Sequence, residues 1–142
     1  MIKRTFLFFS LAILIYCMQS CSLVGPGRPT ITDALFRVKI DSVRLPTPMF
    51  FAEDTLKIAF WGNVGSDSCY KFDHFQGAKD THQIDLVLWG RNSRTSNDVC
   101  PSGQIDLNGK IFFDYPVAQG DYTVVIHQPD GSIIQRTIHV YP

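Results

Sequence analysis

Apolar and polar residues alternate with a period of two along most of this chain, which predicts strands rather than helices. Phe36, Val38 and Ile40 alternate with Arg37, Lys39 and Asp41, predicting a first strand with one buried face, ended by Pro46 and Pro48. Leu56, Ile58 and Phe60 alternate with Lys57, Ala59 and Trp61 in a second, ended by Gly62. Residues 69–75 predict a third strand, with Tyr70 and Phe72 on one face, and Ile84, Leu86 and Leu88 mark a fourth. The polar run 91–108 then predicts a long loop carrying Cys100, before a short fifth strand at Ile111, Phe112 and Phe113.

The final hairpin is the most specific local signal. Tyr122, Val124 and Ile126 share one face of its first strand, and Ile134, Ile138 and Val140 one face of its second. A two-residue Asp130-Gly131 loop would place Ile126 opposite Gln135 and split the apolar sets between faces. A three-residue Pro129-Asp130-Gly131 loop, with Gly131 left-handed, places Ile126 opposite Ile134 and Tyr122 opposite Ile138. The second register buries both sets together and is the expected one.

Seven short strands with turn signals between them predict an all-β chain, an antiparallel sandwich over residues 33–142. Gly120-Asp121-Tyr122-Thr123-Val124 resembles the Gly-x-Tyr-x-Val entry to a late strand in immunoglobulin-like and fibronectin-like domains. The resemblance implies an immunoglobulin-like sandwich in which Tyr122 forms a tyrosine corner, its hydroxyl bonded to nearby backbone. Val124 stands where antibody-type domains place a cysteine. Together with residues 69–73, Leu88-Trp89-Gly90 and Val99-Cys100, the motif is similar to a loosely defined group of uncharacterised bacterial lipoprotein domains, over roughly residues 55–141.

The N-terminus supplies an address. Lys3 and Arg4 precede an apolar run at residues 6–16, and a small residue, Ser20, precedes Cys21. That order predicts an export signal over residues 1–20. Its run is too short to span a bilayer comfortably, which takes about 20 apolar residues. Met18-Gln19-Ser20-Cys21 resembles a bacterial lipobox, in which Gln19 is unusual. The resemblance implies that Cys21 becomes the first residue and carries acyl chains, palmitate among them, that anchor the protein in a membrane. Ser22, rather than Asp, points to the outer membrane. Residues 21–32, punctuated by Gly and Pro, read as a short tether.

Composition fits a small exported domain. Cleavage leaves about 120 of the 142 residues, enough for one core. The 13 basic and 13 acidic residues balance, and losing Lys3 and Arg4 turns the chain slightly acidic. A nucleic-acid partner would need a basic face and is not expected. With Cys17 removed and Cys21 acylated, Cys69 and Cys100 are left to form a disulfide, which persists in exported proteins.

Candidate chemistry is sparse. His74 and His82 flank a turn that also holds Asp80, a geometrically possible zinc or copper site, but three ligands on a turn are a weak signal and no metal is expected. Glu53-Asp54, the single adjacent acidic pair, faces opposite ways on a strand, which is poor geometry for a two-carboxylate mechanism. No nucleophile elbow, phosphate loop or metalloprotease motif occurs. The expectation is therefore a non-catalytic binding or structural module of the cell envelope, with no cofactor and an envelope protein as partner. Candidate contacts are Trp61 and Trp89, since Trp is enriched at binding hot spots, and Arg91, Asn92 and Arg94 in the polar run. The alternative is an inhibitor that presents the 91–108 loop to a secreted hydrolase.

Overall fold

The computed structural model describes residues 31–45, 50–114 and 119–142, within a compact unit that runs from Ile31 to Pro142. The signal and Cys21 lie outside the described residues. Among those residues there are eleven strands and no helix, so the chain is all-β. They are β1 (Ile31–Arg37), β2 (Ser42–Arg44), β3 (Phe50–Phe51), β4 (Leu56–Trp61), β5 (Asn63–Asp67) and β6 (Tyr70–Lys79). Then come β7 (Gln83–Thr95), β8 (Ser102–Asp106), β9 (Lys110–Asp114), β10 (Gly120–His127) and β11 (Ile133–Tyr141). β1 begins inside the stretch that the sequence assigns to the tether.

β7 is the axis of a six-stranded sheet. Along one edge it pairs antiparallel with β6. Along the other it pairs end to end with two strands, parallel with β10 over residues 83–86 and antiparallel with β1 over residues 89–95. β11 and then β3 continue that sheet, β3 running parallel to β11. β2, β4 and β9 form a second sheet, and β5 and β8 a two-stranded third. The expected purely antiparallel arrangement is corrected by the two parallel pairings, and the expected seven strands by the eleven.

The alternation read burial better than pairing. Leu56, Ile58 and Phe60 of β4 face Ile84, Leu86 and Leu88 of β7 and Tyr122, Val124 and Ile126 of β10 in one core. Each such side chain, fully buried, stabilises by about 1.5–3 kcal/mol. Phe75 of β6 joins the two larger sheets, its ring 5.5 Å from both Phe60 and Phe112. Val38 and Ile40 are buried as predicted, yet β1 has already ended at Arg37. Ile40 instead pairs with a side chain. Buried Gln128 accepts its N–H at 3.0 Å and donates to its carbonyl at 2.9 Å, completing a ladder where no strand lies.

One expectation fails on the length of β7. The polar run 91–108 is not one long loop: β7 continues to Thr95 and β8 occupies residues 102–106. Trp89 and Gly90 lie inside the strand. A Cβ at Gly90 would sit 2.5 Å from the Phe36 ring, so glycine is there to admit a neighbour, not to break the strand. The last hairpin follows the predicted register, Ile126 opposite Ile134 and Tyr122 opposite Ile138, and Gly131 has φ +84°. Tyr122 is fully buried, but its hydroxyl bonds the carbonyl of Asp80, across the fold, rather than nearby backbone.

Candidate functional site

Because one side of each sheet forms the core, the alternate residues define two outward faces. The first lies across β1, β7 and β6. A bulge between Phe72 and His74 inserts Asp73, which lets Phe72 and Phe75 both point inward, their rings 4.8 Å apart. Asp73 and His74 thereby turn outward beside Trp89 and Arg91. The Arg91 guanidinium donates to Asp73 at 2.6 Å and to Asp33 at 2.6 Å. Chiefly through that bond, and then through His74, the Asp73 carboxyl is held at about 2 instead of 3.8. Asp73 in turn raises the Arg91 guanidinium. A carboxyl ionised so far below neutral is no general acid.

Trp89 donates its indole N–H to Gln76 at 2.7 Å, His74 stacks beside it, and the Arg37 guanidinium lies 5.8 Å from its ring centre. Further along the same sheet, His127 pairs with Asp85 at 2.9 Å and His139 with Asp121 at 2.8 Å. Gln83, before His127, is the main cause of the lowered Asp85 carboxyl. Arg91, His127 and His139 of this face thus meet carboxylate partners on neighbouring strands, while Lys71, opposite Arg91, makes no ion pair among the described residues.

The second face belongs to β2, β4 and β9. The register Lys57 opposite Phe113, Ala59 opposite Ile111 and Arg44 opposite Ala59 puts these residues on one side. Phe113 is 59% exposed and Ile111 41%. Trp61 is half-buried, with Arg44 5.3 Å above its ring. The outward positions of these strands, Ser42, Arg44, Lys57, Ala59, Trp61, Ile111 and Phe113, include two cations and no carboxylate. Among the described residues neither Arg44 nor Lys57 makes an ion pair.

The predicted contact residues divide accordingly. Trp61 and Trp89 lie on different sheets and different outward faces, so they form no aromatic pair. Arg91 shares its face with Trp89. Arg94 lies on the alternate side of β7, bonded to Asp67 at 2.7 Å and to the Cys100 sulfur at 3.3 Å. Asn92 shares that alternate side, its Oδ1 buried without a hydrogen-bond partner. None of the three stands on a loop, because the expected loop is mostly strand. The hydrolase-inhibitor expectation rested on that loop, and only residues 96–101 connect β7 to β8.

The disulfide joins Cys69 to Cys100 with Cα atoms 5.5 Å apart. The Ser68 N–H donates to Pro101 and the Ser93 N–H to Cys69 beside it. Asp67, Cys69 and Cys100 form the one metal-like cluster among the described residues, and two bridged sulfurs offer it no thiolate. His74, His82 and Asp80 are not brought together: His74 pairs with Asp73, His82 reaches the Gln119 carbonyl, and Asp80 binds Thr81. Sequence reasoning missed the exposure of Ile111 and Phe113, because three consecutive apolar residues do not reveal which of them faces out.

Comparison of the chain with protein-family models, curated proteins and solved structures finds no match.

Proposed function

We propose that this chain is an exported, lipid-anchored protein of the bacterial outer membrane. Its immunoglobulin-like domain acts there as a non-catalytic binding module. The observation that carries the binding role is the outward face of β2, β4 and β9, where Phe113 is 59% exposed beside Arg44 and Lys57, which make no ion pair among the described residues. Burying such an aromatic stabilises a contact by about 1.5–3 kcal/mol, and a surface that keeps one exposed is a candidate interface. The anchor rests on the lipobox-like residues 18–21, and the immunoglobulin-like reading on the two facing sheets and buried Tyr122.

A photoreactive amino acid placed at position 113 in cells tests the binding role. An adduct, with protein or lipid, is expected there and not at Arg136 on β11. Equal labelling at the two positions would sink it. The anchor is tested separately by intact mass, which should show a chain beginning at acylated Cys21, and by loss of the Cys21→Ser variant from membranes.

A further inference from the structure

We infer that the outward face of β2, β4 and β9 lies on an anionic phospholipid surface, as a second membrane contact of the anchored domain; this rests on the anchor reading above. Three observations select a bilayer over other occupants. The first is composition: Ile111 and Phe113 stand exposed on β9, along one edge of the face, with Lys57 of the central strand opposite Phe113 and Arg44 over Trp61. Aliphatic and aromatic side chains that enter the headgroup boundary, beside cations whose stems lie along it, describe an interfacial surface. Protein interfaces, by contrast, are depleted in lysine.

The second is sign. The face holds two cations and no carboxylate although the chain has 13 acidic residues. Near an anionic membrane each Lys or Arg adds electrostatic attraction. A second copy docked on the same face would instead set two positively charged surfaces against each other, with no carboxylate at the outward strand positions of either. The third is reach. Only nine residues lie between Cys21 and Ile31, so the two are at most about 35 Å of extended chain apart. An acylated Cys21 therefore keeps the domain within contact range of the bilayer, which raises the local concentration of lipid at this face.

The test uses tryptophan fluorescence, because Trp61 belongs to the face. Full-length protein is added to vesicles of brominated phosphatidylcholine, with or without phosphatidylglycerol. Quenching is expected with phosphatidylglycerol and should fall at least threefold in R44E/K57E. A control reversal on other strands, K71E/R136E, should quench as the wild type does. Far-ultraviolet circular dichroism confirms that each variant is folded. Equal quenching of wild type and R44E/K57E would overturn the inference, as would equal quenching on vesicles with and without phosphatidylglycerol. No quenching at all would also overturn it and leave the face to an acidic protein. Intact mass of the same preparation reports acylation of Cys21, so a missing anchor is seen independently of a missing face contact. In a preparation without acyl chains, the quenching still decides whether the face binds lipid.

Discussion

Across the six-stranded sheet Arg91 is held by two carboxylates, each at 2.6 Å. Across the three-stranded sheet Arg44 lies over an indole and Lys57 makes no ion pair among the described residues. Both faces are outward, and both are built on the same alternation. The first directs its polar side chains to one another. Exposed apolar side chains occur on both, Leu35 and Ile133 on the first and Ile111 and Phe113 on the second, but the second sets its cations beside them with no carboxylate among the described outward positions. The difference shows that a polar, aromatic-bearing face is not by itself a binding face: Trp89 already donates its indole N–H to Gln76 and stacks with His74.

Three tests break or sharpen this contrast. Gln128→Leu should have the largest effect, because it cuts the joint that carries the chain from one sheet to the other. Both buried polar groups of Ile40 lose their partner, at a cost of about 2–4 kcal/mol. A urea unfolding midpoint unchanged by this substitution would show that the joint contributes nothing.

Acid should next separate the two faces. The Asp73 carboxyl is depressed from 3.8 to about 2. Its contribution is therefore complete above the unfolded value and is lost as pH falls through the folded one. Wild type should lose thermal stability between about pH 4 and pH 2 more steeply than Asp73→Asn. Arg91→Ala should resemble Asp73→Asn, since Arg91 is the main cause of the shift. Parallel curves for wild type and Asp73→Asn would mean that the ion pair does not stabilise the fold.

The smallest effect is expected from Phe113→Ser with Lys57→Ser, which should change unfolding free energy by no more than about 0.5 kcal/mol. A loss of about 2 kcal/mol or more, measured in urea, would mean that the domain itself depends on this face.

The final hairpin was legible because two independent constraints, turn chemistry at Gly131 and one-sided burial, demanded the same register. β7 was legible only in its first half. After Leu88 its inward positions are Gly90, Asn92 and Arg94, so the apolar signal stops although the ladder continues. The bulge at Asp73 left no local mark, yet it decides that His74 faces solvent and Phe75 the core. Asn108-Gly109 did carry a tight-turn signal. Both residues have positive φ, and Lys110 N–H bonds the Leu107 carbonyl at 3.1 Å. It was submerged in a run read as a loop. Gln128 could not be anticipated, because its partner, the Ile40 backbone, has no side-chain identity to match.

β7 takes β1 and β10 end to end along a single edge, and this imposes a schedule on synthesis. Chains emerge N-terminus first, so β1 must wait until Thr95 has been made, and β4 waits for Lys110. The β6–β7 ladder needs no such delay, since its strands are consecutive. Oxidation of Cys69 and Cys100 can close over that ladder before β10 has been delivered. A chain delivered to the oxidising compartment through residue 101, but not yet through β10, would hold a stapled hairpin whose inner leucines still lack the β10 side of their core. Apolar surface exposed in that interval invites aggregation and chaperone capture.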